Sequence, residues 1–348
     1  MSKNPFIIGA ITALLMASGL SAQVNLTAET ASPISVPGTT VLGLSEVVSI
    51  AGVADIQVLV GQTLTNSVKN VAEGKTDIAA APFALPFLMS KGVGPYAALG
   101  KEAGAELASK LAVLYTYRLA VFGISSYKSS NFEGYDAIAG TTIYNGPPRG
   151  AALNRARGMI KLATGLNDGD GYTGVQVNWG QAVKTITDGT AIAHLLPMNF
   201  PDGRQGQAAA SGAMVVHSFP KEVFESEVGR RYAGAPGTAG VTVEIVDGLF
   251  GPNFSVVSED GMFRGYADIG GEVVNVSMDE ETAYGLTKAF IEGIPILKAK
   301  SPMMPTVWLG ETSLEFTGMC GAMPMQYHPG AARAWKEAGY TLPDCAKP

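Results

Sequence analysis

Twice along this chain, short β-branched runs alternate with helical stretches, and that rhythm constrains the fold more than any other feature. In the first run, residues 34–36 are a short strand candidate ending at Pro37-Gly38-Thr39-Thr40. Residues 41–51 then read as a helix and 56–60 as a second strand. Thr65, Asn66 and Ser67 offer N-cap oxygens to a helix running to Gly74, and 77–81 form a third strand. A βαβαβ order calls for a parallel sheet with helices on its faces. The pattern restarts at 141–145 with strand, turn and a helix over 151–164, whose Leu153, Ala156, Ile160 and Ala163 share one face. A strand at 175–177, a helix at 181–187 and a strand at 191–196 complete the second unit. Between the two units, residues 111–124 form an apolar, aromatic run too long for one ordinary strand. It is either two strands or one that crosses between lobes.

The remaining elements read less evenly. Residues 96–110 suggest a helix, 203–213 are Gly/Ala/Gln-rich without a clear period, and 272–276 suggest a strand. Ser277-Met278-Asp279-Glu280 matches a capping box with Ser277 as the cap. His328-Pro329-Gly330 opens a last helix that carries Ala331, Ala334, Trp335 and Ala338 on one stripe and closes at Gly339.

A chain of 348 residues exceeds one small core and suits two α/β lobes. With 47% hydrophobic and 16% charged residues it has the composition of a packed globular protein. Its net charge of -6 gives no basic stripe with which to neutralise phosphates, which excludes nucleic acid as a partner. Residues 1–22 have the layout of a secretory signal: Lys3 in front, an uncharged apolar run over 6–16, then small residues up to Ala22. The expected mature protein is exported and soluble. Export gives the two cysteines, Cys320 and Cys345, a natural fate as one disulfide.

Catalytic signatures are scarce. The sequence has no G-x-S-x-G, H-E-x-x-H or P-loop, and only three histidines, His194, His217 and His328. His194 reads as a satisfied structural histidine and His328 as a helix cap. The segment 143–156, IYNGPPRGAALNRA, is different. A strand ends in a glycine–proline turn, and a helix follows with Arg149 near its first turn. A helix N-terminus offers free N–H groups and repels a cation, unless an anion joins them. Asn145, the backbone of Gly146 and Gly150, Ala151 and the Arg149 guanidinium together describe an anion receptor. A surface Arg149 paired with an acidic neighbour is the alternative.

Four features in one order resemble the TAXI family, the substrate-binding proteins of one class of TRAP transporters. They are Asn66 with Val71-Ala72-Glu73-Gly74-Lys75-Thr76-Asp77-Ile78-Ala79, the loop Tyr144 to Ala151, the segment Ile186-Thr187-Asp188-Gly189-Thr190-Ala191-Ile192-Ala193, and His328-Pro329-Gly330-Ala331 leading to Glu337 and Gly339. The chain departs from the family after its first strand, where Pro37 to Gly43 contains no tyrosine, and at Arg149, where members carry small hydroxyl residues.

The resemblance implies a two-lobed type II periplasmic-binding fold, each lobe a mainly parallel sheet flanked by helices, hinged around a central cleft. The expected division is a signal at 1–22, lobe 1 over 23–123, lobe 2 over 124–255, and a return to lobe 1 over 256–348. The implied function is capture of a small organic anion, a carboxylate or dicarboxylate such as glutamate or 2-oxoglutarate, in the periplasm. Delivery to TRAP membrane permease subunits would follow, by a monomer with no cofactor, metal or catalytic residue. The ligand-binding set is Gly38, Thr39, Thr40, Thr65, Asn66, Ser67, Phe83, Asn145, Gly146, Arg149, Gly150, Ala151 and Asn199, with Tyr117 and Phe200 as apolar walls. Outside the loops that the family supports, these are placed by the rule that open α/β sheets bind at the carboxyl ends of strands. An exported enzyme on the same scaffold, or a ligand-reporting sensory module, are the alternatives.

Overall fold

The computed structural model describes residues 23–148, 150–320, 322–323 and 325–348. The expected signal segment and Arg149 therefore lie outside the described residues.

The first strand comes earlier than its sequence signal. β1 (Val24–Glu29) turns Leu26 and Ala28 inward, and it pairs in parallel with β2 (Ala54–Leu59) and β3 (Ile78–Pro82). Residues 34–36 are not a strand. Ser35 caps α1 (Val36–Ile50), its Oγ accepting from the Gly38 N–H at 3.2 Å, with Pro37 in the first turn where its missing N–H costs nothing. Gly38, Thr39 and Thr40 are thus helical rather than part of a loop. Helix α2 (Leu64–Ala72) begins at Thr63, before the expected caps, and Gly74 past its end has φ +70°. Helices α3 (Ala84–Lys91) and α4 (Gly100–Ala108) follow, the latter shorter than the expected 96–110 because residues 94–99 form a 3₁₀ turn.

Residues 111–124 resolve as a single strand, β4 (Leu111–Tyr127), buried along nearly its whole length. The second unit then runs β5 (Thr142–Tyr144), α5 (Ala151–Thr164), β6 (Asn167–Asp168), β7 (Gly171–Val175), α6 (Ala182–Thr187) and β8 (Ala193–Met198). Next come α7 (Gly203–Ala209), β9 (Met214–His217), α8 (Lys221–Glu225), α9 (Glu227–Ala233), β10 (Thr238–Glu244) and β11 (Phe254–Val257). The chain returns along β12 (Met262–Asn275) and finishes with α10 (Glu280–Ala299), α11 (Leu314–Thr317) and α12 (Pro329–Glu337).

These strands form two lobes of one curled mixed sheet, in the order β2-β1-β3-β12-β4-β8-β5-β7-β6. β4 and β12 are antiparallel neighbours and both run through the two lobes. Toward one end β12 pairs with β3, and toward the other β4 pairs with β8 and β9 while β12 pairs with β10. The register between β4 and β12 shifts at Asp268/Ile269, where Arg118 opposes Ile269 and Ala120 opposes Asp268. There Leu119 of β4 has no opposite residue on β12, and a second shift falls at Glu272/Val273; bulges of this kind favour bending of a strand pair. Because β12 is antiparallel to β3, and β8 antiparallel to β4, the carboxyl ends of the parallel strands in both lobes are aimed at this crossing. This is the two-lobed type II architecture.

The largest core cluster fills lobe 1 from Leu26 to Trp335 and continues through the crossing to Phe200, Phe250 and Phe263. Two smaller clusters lie in lobe 2. One joins Ile143, Ala156, Met159, Ile160 and Tyr266, and the other joins Tyr144, Leu196 and Met214. At the C-terminus, Cys320 and Cys345 form a disulfide with Cα atoms 5.5 Å apart. His328 caps α12, its Nδ1 accepting from Gly330 N–H at 3.3 Å. The capping residue of α10 is Asp279, which accepts from Thr282 N–H at 2.9 Å, and not Ser277, whose hydroxyl donates to Asn275 Oδ1. No helix among the described residues is long and apolar enough to cross a membrane.

Candidate functional site

The crossing of β4 and β12 gathers side chains from both lobes. Phe83, at the end of β3, is fully buried, and its N–H donates to the Ile269 carbonyl across the bulge. Asn199 follows β8, with its N–H donating to Asp202 Oδ2 at 3.1 Å and its own Oδ1 buried without a partner. Phe200 comes next, in a cis bond to Pro201, against Phe250 and Phe263. Tyr117, two residues beyond Tyr115 on β4, is also buried.

Arg118 lies at the centre of this arrangement, and it belongs to no expected site. It is 1% exposed, its backbone N–H donates to Val307 O, and its Cζ sits 4.7 Å from the Phe200 ring centroid and 5.2 Å from that of Trp308. The guanidinium makes one hydrogen bond, from Nη2 to Thr306 Oγ1 at 3.2 Å, and Nε is buried without an acceptor. Among the described residues no carboxylate pairs with it, and burial pulls its pKa down to about 9. The Thr306 hydroxyl has two carbonyl acceptors in reach, Met303 O of its own turn at 2.8 Å and Phe200 O at the strand end of lobe 2 at 3.3 Å. The sequence held one signal for the residue: Arg118 is the only charged residue in the 17 positions of β4.

A second arginine is fully compensated. Arg155, on α5, donates from Nε and Nη2 to Asp268 Oδ1 at 2.9 and 2.6 Å, and from Nη2 to Thr238 Oγ1 at 2.6 Å. Asp268 stands on β12 at the register shift, so this pair ties the lobe 2 helix to the crossing. At the rim of lobe 2, Arg204 lies 4.5 Å from the Trp179 ring centroid. Gly146, with φ +88°, runs close beside the same ring: a Cβ there would stand 3.4 Å from Trp179.

Glu272 of β12 is the third unusual group. It is fully buried, Thr40 Oγ1 donates to its Oε1 at 2.8 Å, and the hydroxyls of Tyr115 and Tyr117 face the same carboxyl. Burial pushes its pKa up to about 8, so it is largely a neutral acid at pH 7. Ser125, His194 and Gln205 form a buried polar cluster in lobe 2, with His194 Nε2 at 2.8 Å from both Ser125 Oγ and Gln205 Oε1. Burial lowers the His194 pKa to about 4. This is a Ser–His contact of catalytic length, but both side chains sit inside the packing of α7 on β8 and β4.

The described members of the expected ligand set sit at strand ends and helix starts of both lobes. Thr40 is committed to Glu272, Thr39 donates to Pro33 O at 3.3 Å, and Gly38 packs on the Ser32 carbonyl. Asn66 is exposed at the start of α2, Ser67 is buried against Thr63 O, and the Thr65 carbonyl accepts from Tyr96 OH. Asn145 is buried and turned within lobe 2, its Nδ2 donating to Tyr172 OH at 3.1 Å and its Oδ1 unpartnered. Gly150, at φ +104°, and Ala151 open α5 without a side-chain cap. The structure brings Phe83, Tyr117, Asn199 and Phe200 to the crossing strands.

No protein-family model matches the chain, and no curated protein does. Among solved structures the chain is similar to a protein of Bordetella bronchiseptica RB50, at 15% identity over 93% of this chain and 91% of that one, with a TM-score of 0.48. It is also similar to an extracytoplasmic solute receptor of Bordetella pertussis binding pyroglutamic acid, at 12% identity over 81% and 84% with a TM-score of 0.44. A third is a TRAP periplasmic solute-binding protein of Pseudomonas aeruginosa PAO1 with bound L-malate, at 9% identity over 81% and 87% with a TM-score of 0.43. At scores below 0.5 these are likenesses only, and the architecture stands on the strand order and the two crossing strands.

Proposed function

We propose that this chain is an extracytoplasmic solute-binding protein of TAXI type, which captures a small organic anion by lobe closure and delivers it to a TRAP membrane permease. The ligand class is a carboxylate or dicarboxylate, with glutamate and 2-oxoglutarate as first candidates. The observation that carries the reading is topological. Two adjacent strands connect the lobes, they carry a register shift between them, and the parallel strands of both lobes end toward that shift. A bent two-strand connection of this kind suits hinge motion, and strand ends facing one another suit a ligand held between them. The family-like loop at 144–151 and the signal-like start agree with the reading.

A thermal-shift screen of organic acids on the mature chain tests it. A ligand at 100 times its Kd adds about 2.7 kcal/mol of stability, a rise of several degrees. Silence across glutamate, 2-oxoglutarate, malate and succinate at millimolar concentration contradicts the proposed ligand class.

A further inference from the structure

We propose that Trp179 is a flat wall of the solute site and that it selects, among carboxylates, those with a planar unsaturated segment and no ammonium group: 2-oxo acids and enedioates. The inference rests on the solute-binding reading above and names the substrate class of that same site.

Three observations carry it. First, the indole lies where the parallel strands of lobe 2 end. Beyond β5 and β7 the two segments stay paired, Asn145 N–H donating to Val175 O at 2.9 Å and Val177 N–H to Gly146 O at 3.0 Å, and Trp179 then opens a 3₁₀ turn. Arg204, whose Cζ is 4.5 Å from the ring centroid, belongs to α7, the helix that follows β8. The ring is thus held by the segments that follow β8, β5 and β7, which are neighbours in the sheet. Open α/β sheets bind their ligands at those ends. Second, the ring is both open and fixed. It is 40% exposed, whereas Trp335 is 1% exposed. Arg204 covers one face, and Gly146 lets the backbone pass close to one edge, where a Cβ would stand 3.4 Å from Cη2. The surface left to a ligand is the opposite face and the outer rim. A ring already held from two sides loses little further freedom when a ligand settles on it. Third, the cation sets what that surface accepts. A guanidinium over one face draws π density toward itself, so the other face is a weaker partner for a C–H donor or a second cation. An ammonium placed there also meets the positive charge of Arg204. Conjugated carboxylates escape both penalties, because their flat segment stacks offset on the indole and their charge is negative. A saturated acid presents C–H bonds instead, and an amino acid adds the ammonium.

The test is isothermal titration of the parent, Trp179→Leu and Trp179→Phe with two matched pairs, 2-oxoglutarate against L-2-hydroxyglutarate and fumarate against succinate, and with L-glutamate as the ammonium-bearing acid. Circular dichroism checks that each variant is folded. The parent binds the planar member of at least one pair about three- to tenfold more tightly than the saturated member, and binds L-glutamate no better than L-2-hydroxyglutarate. Trp179→Leu brings that ratio close to one while its affinity for the saturated acid stays within about twofold of the parent's, and Trp179→Phe keeps the preference. A parent that does not distinguish the members of either pair, or a ratio that Trp179→Leu leaves unchanged, overturns the wall and leaves the solute-binding reading standing. A parent that binds none of these acids overturns the reading itself, and the wall with it. Tryptophan emission decides the matter if Trp179→Leu does not fold. The planar acid quenches it in the parent, and the quench is lost in Trp179→Phe. A quench of the same size in both counts against the wall.

Discussion

Glu272 and His194 titrate in opposite directions, and the sign of each is set by burial. The folded chain holds a proton on Glu272 up to about pH 8, which an unfolded glutamate releases near 4.5. Its contribution to stability is complete below that lower value and is lost as pH rises toward 8. His194 refuses a proton down to about pH 4 where the unfolded imidazole takes one near 6.5. Its contribution is complete above 6.5 and is lost as pH falls toward 4. The two slopes oppose each other between 4.5 and 6.5, and Glu272 acts alone between 6.5 and 8. Glu272→Gln therefore removes a decline on the order of 1 kcal/mol per pH unit in that upper window. Urea midpoints of parent and variant at pH 6.5, 7.2 and 8 check this, and parallel curves refute it. Single residues were the least legible part of the sequence. A sequence presents Glu272 and Asp268 as ordinary charges, and only the fold makes one a neutral acid and the other the partner of Arg155. The same holds for Thr40, whose hydroxyl looks available to a ligand until α1 turns it onto Glu272. His194 and His328 were legible because each had a local role, one within an apolar strand and the other preceding a proline at a helix start.

Elements were legible where their signals were local and redundant. The alternation from 54 to 82 and from 142 to 198 follows the hydrophobic pattern, but the strand expected at 175–177 lies at Gly171–Val175, and α3 had no reading in the sequence. Strand β12 was half hidden, because Arg264, Asp268 and Glu272 interrupt its apolar pattern and three glycines thin it. Those glycines have a packing reason. A Cβ on Gly271 would collide with the Tyr115 carbonyl oxygen, and one on Gly270 with the Ala81 carbonyl oxygen, so both admit the neighbouring backbones. Gly271→Ala is expected to cost about 1–3 kcal/mol, the range for overpacking, in a denaturant titration. The cap of α10 was misplaced by two residues because Ser277 and Asp279 compete for the role, and Asn275 engages the serine. Near the C-terminus, the Cys320–Cys345 bridge closes a loop with a sequence separation of 25. Replacing both cysteines with serine is expected to lower stability by roughly 3 kcal/mol in the chain-entropy model. An unchanged melting temperature in the double variant contradicts that expectation.

At the scale of the whole molecule, two lobes share one sheet through β4 and β12, and everything proposed about function depends on the bend between them. The 17-residue run of β4 left its own reading open in sequence, since a crossing strand and two consecutive strands have the same apolar pattern. Pairing settles it, because one strand faces lobe 1 partners along its first half and lobe 2 partners along its second. A buried aromatic cluster of Phe200, Phe250 and Phe263 lies beside the bend, with the Arg118 charge against it. The most direct measurement is small-angle X-ray scattering of the mature chain alone and with saturating 2-oxoglutarate or L-glutamate, whichever gives the larger thermal shift. The account predicts a smaller radius of gyration in the liganded sample and a return to the original value after dialysis. Superimposable profiles with a bound ligand would contradict capture by lobe closure.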